Sequence, residues 1–129
     1  MANELSVLDR VNFVGYRTDL EKFVKISDIV VSMSVREGLG LNIIEAMMCK
    51  KPIVAAENRG HKDLVQEGKG GFLVGAHDLD ALAEKIEYLN KNKTVRQEFG
   101  EFNLDKAKLF ECSRVKEELY NIYKRYVIK

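Results

Sequence analysis

The sequence predicts an α/β fold, a Rossmann-like open parallel sheet with flanking helices, on three observations. Short continuous apolar runs, Ile29-Val30-Val31-Ser32 and Ile53-Val54-Ala55-Ala56, have the character of strands buried on both faces. Amphipathic stretches of helical period alternate with these runs. Glycine-bearing loops follow the strand ends, where open α/β sheets bind their ligands.

In chain order, Val11-Asn12-Phe13-Val14 is a strand candidate stopped by Gly15. Residues 19–27 read as a helix, with Leu20, Phe23, Val24 and Ser27 inward and Thr18 or Asp19 as the cap. The run 29–32 is the next strand. A loop with Gly38 and Gly40 leads into a helix over 41–49, and 53–56 is a strand with Pro52 at its start, where a missing N–H is tolerated. A short helix over 62–66, the turn Gly68-Lys69-Gly70-Gly71 and the strand Phe72-Leu73-Val74 follow. Asp78 or Asp80 then caps a helix to about Asn90, its Leu79, Leu82, Ile86 and Leu89 at helical spacing. Helices over 94–107 and from a break near 111–113 to about Val127 complete the chain.

Size and charge narrow the function. The chain's 129 residues fit one domain, and 46% hydrophobic with 32% charged residues is a globular profile. A net charge of +1 gives no field for nucleic acid, so no nucleic-acid partner is expected. Cys49 and Cys112 form no metal-type spacing, and Cys49 in its apolar run reads as a small hydrophobe. Met1-Ala2-Asn3-Glu4 lacks a signal-peptide pattern, and no apolar run nears the roughly 18 residues of a membrane span. The chain reads as cytoplasmic.

The segment richest in chemistry runs from Ser34 to Met47. A buried strand enters a two-glycine loop that opens a helix, so unpaired N–H groups and the helix dipole make a seat for phosphate. Glu37 stands on that loop. Glu45 lies in the second turn, and helical side chains lean toward the N-terminus, so its carboxylate reaches the same mouth. Carboxylates beside a phosphate seat suit neutral hydroxyls, such as those of a ribose or hexose. Spacing alone equally allows a plain turn and an ordinary helical glutamate. Asp78-Leu79-Asp80 matches a metal-binding D-x-D string, but at a helix start it reads as a cap. Met33, Met47 and Met48 read as core packing.

The run Glu37-Gly38-Leu39-Gly40-Leu41, Glu45-Ala46-Met47 and Pro52-Ile53-Val54-Ala55 closely resembles the E-x7-E signature of family-4 retaining glycosyltransferases. Leu39 stands where that pattern has Phe, and Asn42 where it has Pro. The likeness extends over residues 11–15, 28–34, 59–63 and 70–74 and into the terminal helices. It implies the C-terminal half of a GT-B enzyme, with residues 1–129 forming the donor-binding domain without its first two strands or the N-terminal half. Glu45 would hold ribose hydroxyls, and Glu37, the implied catalytic residue, would face the donor sugar. The backbone of Gly38, Leu39, Gly40 and Leu41 would hold sugar and phosphate oxygens. Arg59 departs from the family's usual Gly and could add a phosphate contact. His61 would join the donor site, although the residue alone reads as a surface histidine near a helix start.

The resemblance further implies a UDP- or GDP-linked donor, no cofactor and no metal. A sugar or lipid-linked acceptor would be presented by the missing N-terminal half, in polysaccharide or glycoconjugate synthesis. Lys116, Lys124, Arg125 and Lys129 on the last helix could serve the inner face of a membrane. The alternative is a non-catalytic nucleotide-sugar-binding or assembly module. A signalling receiver domain fits poorly, because Ser32-Met33-Ser34 ends a strand where a phospho-accepting Asp belongs. In the order 3-2-1-4-5-6 the retained strands would be 3, 4, 5 and 6, leaving an edge beside 29–32. Pairing with 11–14, a homo-oligomer, or the rest of a longer working polypeptide would cover it.

Overall fold

The computed structural model describes residues 4–127, so Lys129 lies outside the described residues. Its centre is a three-stranded parallel sheet in the order β1-β2-β3, from β1 (Val30–Ser32), β2 (Ile53–Ala56) and β3 (Gly71–Val74). Val31 pairs with Val54, and Val54 with Phe72, so β2 is the central strand. All four β2 residues are buried, as its unbroken apolar run requires. Pro52 stands just before β2 and its carbonyl accepts from Val30 N at 3.0 Å.

The side chains of β2 alternate between two cores. Ile53 and Ala55 join Ile43, Ile44, Ala46 and Met47 of α2 (Leu41–Met48) and Leu64 of α3 (Arg59–Leu64). Val24 of α1 (Leu20–Ile26) packs on the same cluster. Val54 faces the opposite side, with Val74, Leu89 of α4 (Leu79–Lys91) and Phe99 of α5 (Lys93–Ala107). Phe72 meets Phe99 and Tyr88 there, ring centroids 5.5 and 5.7 Å apart. The sheet is thus covered on both faces, as in a doubly wound fold. Asn103 of α5 ties two strand starts together, its Nδ2 donating to Lys51 O at 2.8 Å and Gly70 O at 2.7 Å.

Several expectations need correction. Residues 11–14 form no strand and Phe13 is exposed. A strand exists only with a partner, and in the order 3-2-1-4-5-6 this segment would pair with a strand that the described residues do not contain. The outer edge of β1 therefore has no partner strand among the described residues. Asp19 occupies the cap position of α1, but its carboxylate is held by Arg17 at 2.8 and 2.9 Å instead of by the helix. Leu20, expected inward, is exposed. α3 begins at Arg59, three residues before the expected start, because Asn58 caps it by accepting from His61 N at 2.9 Å. His61 is wholly buried and is no surface residue.

Asp78 caps α4 through the Ala81 N–H at 2.9 Å, as expected. A 3-10 turn at Lys108–Phe110 marks the break before α6 (Cys112–Val127), none of whose residues is buried. Among the described residues no helix is long and apolar enough to cross a membrane.

Candidate functional site

The sequence-predicted residues gather at the C-terminal ends of β1 and β2. The loop from Met33 to Gly40 leaves β1 and opens α2, with Gly40 as the N-terminal cap residue. Gly40 is buried, and its carbonyl accepts from Ile43 N at 2.9 Å and Ile44 N at 3.2 Å. No side chain caps this helix end, which leaves it free to meet an anion. Gly38 has open space around it, and Leu39 and Leu41 are exposed.

The two glutamates diverge. Glu37 is partly buried on the loop, its main chain against Gly60. Glu45 is exposed and lines a groove between α1 and α2. Arg17, Thr18, Leu20, Val24 and Met48 line that groove with it, enclosing about 450 Å³. That volume lies within the roughly 300–1,000 Å³ of small-molecule sites. Leu20, Val24 and Met48 supply an apolar wall, and the exposure of Leu20 follows from its place there.

Apart from Glu45, the charges lining the groove are paired. Arg17 is neutralised by Asp19 and lies over the Phe23 ring, 5.2 Å from its centroid. Glu21 is held by Lys25, whose hydrogen bond and charge lower the carboxyl below its usual range. Glu45 has no hydrogen bond or ion pair from its carboxylate among the described residues. It is therefore a free acceptor at the rim of an apolar groove, which suits a diol. Glu37 and Arg59 are likewise without side-chain partners among the described residues.

Arg59 is exposed at the first position of α3. The structure brings the α3 start and the 37–40 loop together, and sets Glu45 on the other flank of α2 with Arg17 and Thr18. Sequence reasoning missed those two, and also Ser32, Asn42 and Asn58, which form hydrogen bonds beneath the loop. The usable signal for Arg17 and Thr18 was position: they follow a strand-like run that ends in Gly15.

Residues 1–105 match the family of glycosyl transferases group 1. A Bacillus subtilis protein named glycosyltransferase EpsD is 33% identical over 127 residues, covering 98% of this chain and 33% of that protein. The poly(ribitol-phosphate) alpha-N-acetylglucosaminyltransferase of Staphylococcus aureus is 39% identical over 87 residues, 67% of this chain and 18% of its own length. The crystal structure of Anabaena Alr3699/HepE in complex with UDP superposes with a TM-score of 0.92 at 27% identity, over 96% of this chain and 35% of that one. The chain thus spans about a third or less of these relatives.

Proposed function

The chain belongs to the glycosyl transferases group 1, and from that premise we propose that it is the donor-nucleotide half of a retaining enzyme. In its complete protein it binds a UDP- or GDP-linked sugar, whose glycosyl group passes to a sugar or lipid-linked acceptor in glycoconjugate synthesis. The carrying observation is the unpartnered Glu45 carboxylate at the rim of the groove beside the open α2 end. The 27% identical Anabaena structure with UDP supports a nucleotide ligand by analogy.

The nucleoside lies in the α1–α2 groove, with Glu45 accepting from the ribose hydroxyls and Arg17 and Thr18 at its side. The diphosphate meets the N–H groups of residues 38–41 at the α2 start, with Arg59 near enough in the fold to add a cation. Glu37 faces the sugar as the catalytic residue. No metal takes part, and the Asp78 carboxylate is already the cap of α4. The reaction takes place in the cytoplasm, at the inner face of the membrane when the acceptor is a lipid.

The two glutamates test this reading in the complete enzyme. Glu45→Gln weakens nucleoside diphosphate binding by about 1–3 kcal/mol, because charge-assisted hydrogen bonds to the ribose become neutral ones. Glu37→Gln leaves diphosphate affinity nearly unchanged and lowers turnover. Calorimetry and rate measurements separate the two. Equal losses of affinity in both variants would reverse the roles, and no loss in either would remove Glu45 from the site. Binding without transfer by the complete protein would favour an assembly module.

A further inference from the structure

We infer that the first turn of α3 is a platform for the donor loop, on which Asn58, Gly60 and His61 set the positions of Glu37 and residues 38–41 without touching the donor. The inference deepens the proposed function and rests on its reading of that loop.

The three residues meet the loop at its start, middle and end. Asn58 Nδ2 donates to Ser34 O at 2.7 Å, where the chain has just left β1. Gly60 lies under Glu37, and a Cβ there would stand 2.8 Å from the Glu37 carbonyl oxygen, so only glycine permits the approach. The His61 ring lies beneath Gly40, whose own Cβ, if it had one, would be 3.5 Å from His61 Cδ2. One helical turn therefore fixes the whole loop.

The ring itself has one arrangement. His61 Nδ1 is 2.7 Å from Ala56 O, and a carbonyl oxygen can only accept, so the proton is assigned to Nδ1. The Asn58 amide nitrogen, 2.9 Å from Nδ1, can only donate; one of its two N–H groups goes to Ser34 O, and its approach to the protonated Nδ1 is not a hydrogen bond. Nε2 then accepts from the Ser32 hydroxyl across 3.4 Å, and Ser32 Oγ accepts from Asn42 Nδ2 at 3.1 Å. Donation runs in one direction, from Asn42 through Ser32 and His61 to Ala56. It joins the α2 start to the ends of β1 and β2. Ser32 and His61 are buried, so a lost partner leaves a desolvated polar group behind. With no exposed surface, His61 is a positioning residue.

Two variants test this in the complete protein. His61→Leu keeps most of the bulk and loses both polar ends, and His61→Asn returns an N–H near the place of Nδ1. In His61→Leu the amides of 35–42 should exchange about tenfold faster or more, while those of β2 and β3 are unchanged, and His61→Asn should recover part of the protection. Affinity for the nucleoside alone, held in the Glu45 groove, should change by less than about threefold, while nucleoside diphosphate affinity, which also depends on the amides of 38–41, falls further and kcat falls about tenfold or more. Unchanged loop exchange, or an equal rise through β2 and β3, overturns the inference whatever the loop binds. A loosened loop with unchanged kcat overturns it too. A wild-type protein that binds no nucleotide defeats the donor reading, while the exchange result still stands or falls alone. If His61→Leu does not fold, Ser32→Ala breaks the same series with a smaller change and takes the same readouts.

Discussion

Lys50 stands just past α2 with a φ of 56°, a left-handed conformation that disfavours any side chain with a Cβ. The turn is needed: Lys50 N donates to Met47 O and Lys51 N to Ala46 O, closing the helix and sending the chain into β2. On its far side the Lys50 carbonyl packs so closely on Gly100 that no Cβ fits there. Lys50→Gly should therefore stabilise the chain by about 1 kcal/mol, read as a higher urea midpoint at constant slope. The opposing loss, its exposed ion pair with Glu101, contributes at most about 1 kcal/mol and nearer zero. A lower midpoint would show that the ion pair outweighs the backbone strain. At this scale the sequence displayed residue types but not their partners. Glu37 and Glu45 stood out as an unusual pair, whereas Ser32, Asn42 and Asn58 looked like ordinary polar residues. Their meaning lies in hydrogen bonds spanning 10 to 29 positions of sequence, which no local pattern encodes.

Among the elements, legibility followed the source of each one's stability. β2 was readable because burial on both faces leaves an unbroken apolar run, and α4 because its apolar positions repeat and Asp78 caps it. Residues 11–14 misled because a strand is stabilised by pairing, and the sequence of one segment cannot show whether a neighbour is present. The start of α3 was missed because Gly60, a poor helix former, sits in its first turn, although Asn58 was a visible cap. Gly60 is there for close approach to Glu37 at some cost to helix propensity. The cap of α4 carries a prediction of its own. Asp78→Ala should lower stability by about 1 kcal/mol, with the Ala81 N–H left unpaired. In the complete enzyme, turnover with this variant, and with wild type in a chelator, should remain unchanged. Loss of activity on either treatment would return Asp78-Leu79-Asp80 to the metal reading that its pattern first suggested.

For the whole molecule, the decisive feature is the bare side of the sheet. β1 has β2 on one side and no strand on the other among the described residues, with Val31 exposed on it. Ile26, Phe13 and Tyr16 are also exposed apolar side chains, at 81%, 83% and 93%. An edge of unpaired backbone groups is a template for another strand, and exposed apolar side chains add surface that a partner would bury. Since the chain spans a third or less of its relatives, we propose that in the complete protein a strand from outside these residues pairs with β1. The isolated chain has only copies of itself to use. It should therefore self-associate through β1, and light scattering should report a mass that rises with concentration. Val31→Lys places a charge on that edge, a common means by which natural sheets stop edge pairing. It should return the chain to a monomer, and at dilutions where both chains are monomeric it should change the thermal midpoint little, because Val31 is already 44% exposed. The same substitution in the complete protein should destabilise it, since there the edge would be covered and the charge desolvated. That contrast, little effect on the monomer and a loss in the complete protein, separates the explanations. A wild-type chain that stays monomeric at high concentration would show that the edge is protected by its own residues. A complete protein indifferent to Val31→Lys would show that no strand covers β1 there either.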